Sequence, residues 1–102
     1  MIYIFEGNSL RGGIYEIVNR KTGFRYIGQT KEFKARWNQH RQALRSGKHQ
    51  NKHLQGSFKK WFTVDGNDDF IQFGILEVML EDSTKEERNI REEWWITAFT
   101  AR

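Results

Sequence analysis

The alternation of apolar and polar positions divides the first third of the chain into short strands separated by turns. Residues 2–5, 14–18 and 24–28 are rich in β-branched and aromatic side chains, which is typical of strands. The segment 19–23 starts with Asn and ends with Gly, as tight turns do, so the second and third strands are predicted to form an antiparallel hairpin. The pattern leaves the register of this hairpin open.

Helical periodicity begins after the hairpin. Apolar residues return every three or four positions over residues 33–44, which predicts an amphipathic helix with Thr30 as a cap and Gly47 as its stop. A second helix is predicted over residues 51–62. The mostly apolar run 70–79 predicts a strand of the fully buried kind.

The last predicted helix carries an unusually placed carboxylate. Ser83 and Thr84 each precede a glutamate by three positions, so two overlapping capping boxes indicate the start of this helix. At 100° per residue, Glu92 shares its side with two aromatic residues and an isoleucine rather than with the solvent-facing acids. The simple structural alternative is a weak surface bridge between Glu92 and Arg88.

Length and composition indicate a single domain. The chain has 102 residues and no proline. Because it also has no cysteine, disulfides, thiolate metal sites and thiol nucleophiles are excluded. No apolar run approaches the ~20 residues that a membrane span needs, and no signal peptide is evident. We expect a cytoplasmic protein with residues 1–102 as a single domain.

Charge is distributed unevenly along the chain. Residues 20–60 contain twelve Lys and Arg against one acid, whereas residues 61–102 contain four against ten. A basic segment of this density is expected to attract polyanions, although it could also be a solvated surface. The residues of this segment that we assign to nucleic-acid contact are Arg25, Lys34, Arg41, Arg45, Lys48, His49 and Lys52.

Several residues form an ordered set of candidate site groups. Tyr15 and Tyr26 lie in the tripeptides Gly-Ile-Tyr and Tyr-Ile-Gly, and Arg36 and His40 lie four apart on one helix. Taken singly, each has a structural explanation, because tyrosines on half-buried strands and a histidine on a helix usually pack in the core. Other chemistries are absent from the sequence: it has no nucleophile elbow, P-loop or zinc-protease helix.

In this order and spacing, the set resembles the GIY-YIG nuclease domain, and most of all the phage and intron-encoded homing endonuclease branch. The similarity extends from about residue 12 to residue 99 and includes the glutamate helix at residues 91–96. It implies an α+β fold, a small three-stranded antiparallel sheet flanked by helices, to which residues 2–5 could add a strand. Residues 1–11 are then an N-terminal extension, and the protein could be phage-encoded and act in its host's cytoplasm.

The resemblance also implies a chemistry and a role for each residue. The family cuts DNA phosphodiesters with one divalent cation, normally Mg²⁺ with Mn²⁺ as a substitute, and leaves a 5′-phosphate. By position, Tyr15 resembles the general base, which a cation such as Arg36 would activate by lowering its pKa, and Tyr26 would support Tyr15 by hydrogen bonding. Arg36 would also stabilise phosphoryl charge, His40 would take part in proton transfer, and Glu92 would hold the metal. The implied partner is double-stranded DNA, with a separate DNA-recognition domain missing from this chain and the oligomeric state open.

Three other functions fit parts of the same pattern. One is a repair or recombination nuclease of the same superfamily that cuts branched or damaged DNA. Another is a non-catalytic DNA-binding module that uses the basic segment alone. An RNA-binding domain would use the same charge and aromatic residues but would leave Glu92 without a role.

Overall fold

A four-stranded sheet carries helices on both of its faces. The computed structural model describes residues 1–100. None of the helices within that range has the length and apolar character to cross a bilayer. In chain order the elements are β1 (Ile2–Ile4), β2 (Gly12–Asn19), β3 (Arg25–Thr30), α1 (Phe33–Ser46), α2 (Lys52–Asp65), β4 (Ile71–Met79) and α3 (Lys85–Thr100).

The sheet has the order β1-β4-β2-β3. Strands β2, β3 and β4 form the predicted antiparallel sheet, and β1 adds the extra N-terminal strand, which runs parallel to β4. The hairpin register, which the sequence left open, places Tyr15 opposite Gly28 and Ile17 opposite Tyr26. The two tyrosines are therefore diagonal neighbours on one face of the sheet.

The main core lies between the sheet and the pair α1 and α2. Because side chains alternate along a strand, Tyr15 and Ile17 face this core, whereas Ile14 faces the opposite side. The buried cluster consists of Tyr15, Ile17, Phe33, Trp37, Leu44, Leu54, Phe58, Phe70, Ile71 and Phe73.

Helix α3 covers the other face. Arg88 Nε donates to Gln29 Oε1 at 2.9 Å, and the Trp95 indole donates to Glu77 Oε1 at 2.9 Å. Ile14 is fully buried although it lies outside the main cluster, as expected for a residue beneath this helix. The sheet is therefore the middle layer of three.

The prediction that the last strand is fully buried was wrong for most of its length. Ile71 and Phe73 are buried in β4, but positions 74–77 are only half-buried and Val78 is 37% exposed. Alternate residues in the first part point into the core between the sheet and α1 and α2. The second part lies beyond that core.

The ends of α1 were predicted with mixed success. Gly47 ends the helix in the left-handed conformation (φ 75°), as predicted. Thr30 is not the N-cap: Glu32 occupies that position, and the Thr30 hydroxyl instead accepts the Glu32 amide at 3.2 Å in the preceding turn. The first helical amide, that of Phe33, donates to the carbonyl of Arg11 at 2.9 Å, so the loop before β2 satisfies the helix start.

One of the two predicted capping boxes forms at α3. The Thr84 hydroxyl accepts the Glu87 amide at 3.1 Å, and the Glu87 carboxylate accepts the Thr84 amide at 2.9 Å. Ser83 does not form the other box. Its carbonyl instead accepts Arg88 Nη1 at 2.6 Å, because Arg88 turns back over the first turn of the helix.

Candidate active site

A chain of hydrogen bonds runs from Tyr15 through two histidines to the backbone of α2. Tyr15 Oη lies 2.6 Å from His40 Nε2, and His40 Nδ1 lies 2.7 Å from His49 Nε2. The amide of Asn51 donates to His49 Nδ1 at 3.0 Å. The three side chains are 1%, 3% and 6% exposed, so water does not compete for these bonds.

Both histidines are neutral at neutral pH. Burial is the main cause that lowers the pKa of His40, to about 3, and the neighbouring Arg36 and His49 lower it further. Burial also lowers the pKa of His49. A neutral imidazole has one donor and one acceptor nitrogen, so the chain of bonds has a direction.

The Asn51 amide sets that direction because a backbone N–H can only donate. We therefore assign the acceptor role to His49 Nδ1 and the proton to His49 Nε2, which donates to His40 Nδ1. His40 must then carry its proton on Nε2 and donate it to Tyr15 Oη. His40 is thus a donor to Tyr15 rather than an acceptor of its proton.

A second donor converges on the same phenolic oxygen. Arg36 Nε donates to Tyr15 Oη at 3.2 Å. Because the oxygen accepts two hydrogen bonds, the hydroxyl proton of Tyr15 is directed away from both donors. Such an environment favours the phenolate over the phenol.

Burial acts against ionisation of Tyr15. It raises the pKa of Tyr15 well above its ordinary value, and the neighbouring Tyr26 and Glu92 add to the rise. Arg36 lowers the pKa, as the resemblance implied, but burial outweighs its effect in this structure. Tyr15 is therefore protonated at neutral pH.

Both name-giving tripeptides contain a glycine that the packing requires. A Cβ at Gly28 would collide with the Tyr15 hydroxyl, so only glycine leaves room for this oxygen between its two donors. Gly13 has φ 151°, and a Cβ there would collide with the carbonyl of Glu77 on β4.

Tyr26 contacts the site through its ring. Its centroid lies 5.4 Å from that of His40 and 5.8 Å from that of His49, with both contacts edge-on. The diagonal register leaves the rings of Tyr15 and Tyr26 6.4 Å apart, and within residues 1–100 no hydrogen bond joins them. Burial lowers the pKa of Arg36, but side-chain hydrogen bonds to Tyr15 and to Tyr26 are among the causes that raise it overall, so Tyr26 contacts the group that donates to Tyr15.

Glu92 reaches the site from α3. It is half-buried, burial raises its pKa, and its negative charge is close enough to raise the pKa of Tyr15. The alternative partner Arg88 bonds to Gln29 and Ser83 instead, and in the described part of the chain Glu92 forms no ion pair. A half-buried carboxylate without a cationic partner is suited to an external cation.

The donor set fits a magnesium ion only in part. Residues 1–100 contain no group of three or more His, Cys, Asp or Glu side chains placed to bind a metal. Mg²⁺ commonly uses one or two carboxylates and completes its shell with water and substrate phosphates. Glu92 alone therefore fits such an ion when DNA oxygens and water supply the other ligands.

The predicted DNA-contact residues are divided between free and engaged side chains. Lys34, Lys48 and Lys52 are exposed, and Arg41 is half-buried. Lys48 lines a cleft of about 290 Å³ whose walls include Arg36, His40 and His49. This cleft brings an exposed cation next to the hydrogen-bonded chain.

Three other predicted contacts are occupied within the domain. His49 is buried in the hydrogen-bonded chain, so its ring supports His40 and is not a surface contact. Arg25 Nε donates to Glu16 at 2.7 Å, and the Arg25 guanidinium stacks on Phe99 at 4.0 Å. Arg45 pairs with a carboxylate of the loop before β4, that of Asp68, at 3.0 Å.

Sequence reasoning missed Asn51, which fixes the tautomers of both histidines. Asn51 caps α2 with its side chain, which accepts the Leu54 amide at 2.9 Å, while its backbone amide donates to His49. The cap position indicates a helix start. No sequence signal shows which side chain a backbone amide will meet.

Comparison with known proteins identifies one family. The GIY-YIG catalytic domain family model matches residues 11–101. Intron-associated endonuclease 1 of Enterobacteria phage T4 is 31% identical over 90 residues, which cover 85% of this chain. The chain spans about a third of that relative's length, 32%.

Two solved structures share the fold. One is a mutant of the catalytic domain of intron endonuclease I-TevI, with a TM-score of 0.73 and 31% identity over 86% of this chain and 82% of that one. The other is the catalytic domain of homing endonuclease I-TevI, with a TM-score of 0.70 and 29% identity over 90% of this chain and 91% of that one.

Proposed function

The chain belongs to the GIY-YIG family as an endonuclease catalytic domain, and we propose that it hydrolyses DNA phosphodiesters with a divalent cation and leaves 5′-phosphate ends. The observation that carries this proposal is that Arg36 donates a hydrogen bond to the Tyr15 hydroxyl, while the charge of Glu92, from a third element, raises the pKa of the same hydroxyl. Homing endonuclease relatives and the exposed Lys48 in the cleft support DNA as the substrate.

Tyr15 is the proposed general base. Its proton faces away from His40 and Arg36, and its transfer to a water in the cleft leaves the phenolate oxygen between its two donors. This oxygen then takes a proton from the attacking water as the water oxygen bonds to phosphorus; the bond to the 3′-oxygen breaks and the 3′-oxygen takes a proton from a second water. His40 and Arg36 stabilise the phenolate before this transfer.

Arg36 has a second proposed role at the phosphate. Its Nη1 bonds to Gln39 at 2.8 Å, while the rest of the guanidinium borders the cleft. A planar fork with several N–H donors matches phosphate oxygens better than an ammonium does. Arg36 therefore couples the base to the charge that develops on the phosphoryl group.

Glu92 is the proposed ligand of the cation, Mg²⁺ with Mn²⁺ as a substitute. When bound, this ion supplies Lewis-acid stabilisation of negative charge on the phosphate oxygens. Burial already raises the pKa of Glu92 and so disfavours its bare charge. A cation beside it would offset that cost.

The DNA partner extends beyond the catalytic cleft. Lys34, Lys48 and Lys52 provide exposed charge for backbone contacts, which carry no sequence information by themselves. We propose that sequence recognition resides in a further domain. The chain spans only 32% of the T4 relative, which leaves room for such a domain in the relative.

Cleavage of supercoiled plasmid at varied Mg²⁺ tests this function. Wild type should nick the plasmid only with Mg²⁺ or Mn²⁺, and its nicks should carry 5′-phosphates that ligase reseals. Glu92→Gln, which keeps size and removes charge, should bind duplex DNA with unchanged affinity and not cut it. Binding without metal-dependent cleavage by wild type would instead identify a non-catalytic module, and preference for flaps or junctions would identify a structure-specific nuclease.

A further inference from the structure

A second group of cations lies at the end of the sheet, outside the catalytic cleft. A cavity of about 270 Å³ is formed where β2 begins, β3 and β4 end, and α3 starts. Arg11, Lys31 and Arg88 line it, together with Glu81 and Asp82. The mechanism proposed above uses none of these residues.

Arg88 is a buried cation with only neutral partners. It is 4% exposed, and its guanidinium donates to Gln29 Oε1 at 2.9 Å and to the Ser83 carbonyl at 2.6 Å. No carboxylate within residues 1–100 forms an ion pair with it. Burying a charge without a counter-charge is costly, so this arrangement is suited to an anion from outside.

The two neighbouring cations also form no ion pair within residues 1–100. Arg11 Nη2 donates to the Met79 carbonyl at 3.1 Å, while its Nε is buried without an acceptor. Lys31 is exposed and forms no ion pair in residues 1–100. Glu81 and Asp82 on the rim are exposed to water, which screens their repulsion of an anion.

We propose that this cavity binds a backbone phosphate of the cleaved DNA strand, a few nucleotides from the scissile phosphate. Arg88 precedes Glu92 by four residues, about 6 Å along α3. Lys31 follows Gly28 by three residues, about 10 Å at ~3.3 Å per residue. A DNA strand advances ~3.4 Å along its axis per nucleotide, so both spacings correspond to a span of two or three nucleotides.

Phosphate is the anion that the groups favour. Two guanidinium groups offer planar pairs of N–H donors, and an ammonium adds charge at the mouth. The inference rests on the proposed function because it places the anion on the DNA strand that enters the catalytic cleft. It adds a binding site that lies on the N-terminal side of Glu92 along α3.

The salt dependence of DNA binding tests the proposal. Duplex binding is followed by fluorescence anisotropy in EDTA, where no cleavage occurs, over a series of salt concentrations. Lys31→Gln and Arg88→Gln should each weaken binding and reduce the slope of log K against log salt by about 0.9, the value for one lost phosphate contact. Lys59→Gln, an exposed lysine on α2, is the matched control and should leave the slope unchanged.

Further measurements keep the outcomes distinct. If Arg88→Gln does not fold by circular dichroism, Lys31→Gln and Arg11→Gln decide the test. Slopes equal to that of wild type in the folded variants would overturn the inference. So would a change in the chemical shift of Arg88 Nε–H that inorganic phosphate causes and duplex DNA does not. Plasmid nicking by wild type is scored separately, so loss of the proposed function and loss of this subsite give different results.

Discussion

At the scale of residues, the site depends on neutral histidines held in fixed tautomers. Burial keeps His40 and His49 uncharged, and the Asn51 amide determines which nitrogen of each carries the proton. The result is a hydrogen bond donated to Tyr15 from a group that is itself a poor acid. Tyr15 can thus be stabilised as a phenolate without a competing proton acceptor beside it.

His40 should make the fold sensitive to acid. Its pKa is lowered from 6.5 to about 3, so as pH falls below 6.5 the unfolded chain takes up a proton that the folded chain refuses. The free energy of unfolding should therefore fall with pH in this window, by up to ~1.4 kcal/mol per pH unit for one proton. Urea unfolding from pH 4 to 7 should show a shallower dependence for His40→Gln, and identical slopes would contradict the neutral assignment.

Tyr15 should govern the pH dependence of cleavage. Because burial raises its pKa, the phenolate is a minor species at neutral pH and increases tenfold per pH unit. Single-turnover cleavage should therefore rise with pH from 6 to 9 with a slope near one on a logarithmic plot. A bell-shaped profile centred near pH 6.5 would point to histidine as the base instead.

At the scale of elements, the hairpin formed by β2 and β3 positions the base. Its register puts Gly28 opposite Tyr15, and the absence of a side chain at Gly28 provides the space for the hydroxyl. Gly28 is therefore needed to leave room for the Tyr15 side chain, not to form a turn. Its φ is not positive, so the constraint is purely steric.

Gly28→Ala should separate activity from folding. The added methyl group displaces the Tyr15 hydroxyl from His40 and Arg36, and a shift of ~1 Å at a reacting group can cost about 100-fold in rate. The variant should still unfold cooperatively. Cleavage rates and urea titrations measure both effects, and an unchanged rate would show that the hydroxyl position is not critical.

Gly56→Ala is the matched control for that experiment. Gly56 lies inside α2, and a Cβ there meets no atom within 4 Å. Alanine should raise the free energy of unfolding by about 1 kcal/mol, because glycine is the poorer helix former, and leave cleavage unchanged.

The elements also show what sequence can predict. Periodicity and turn residues predicted all four strands and three helices, and Gly47 and Thr84 were correctly assigned to helix ends. Thr30 was assigned wrongly because the competing partner of the helix start is a backbone carbonyl of a distant loop. The exposure of the second half of β4 depends on where the helices end over the sheet, which local sequence does not encode.

At the scale of the whole molecule, the candidate site joins the two faces of the sheet. Tyr15 projects from β2 toward the layer of α1 and α2, where Arg36 and His40 lie, whereas Glu92 comes from α3 on the other face. The resemblance in order and spacing indicated these residues, but no local pattern could show that Glu92 lies near enough to influence Tyr15. We therefore claim that the three-layer packing brings Tyr15 and Glu92 into one catalytic centre.

A double-mutant cycle on single-turnover plasmid cleavage tests that claim most directly. Tyr15→Phe and Glu92→Gln should each retain the fold and DNA affinity but lose at least ~100-fold in rate. Because the two residues act on one phosphate, the double variant should be about as slow as the slower single variant. A wild-type rate in either single variant, or losses that multiply in the double, would contradict a shared catalytic centre.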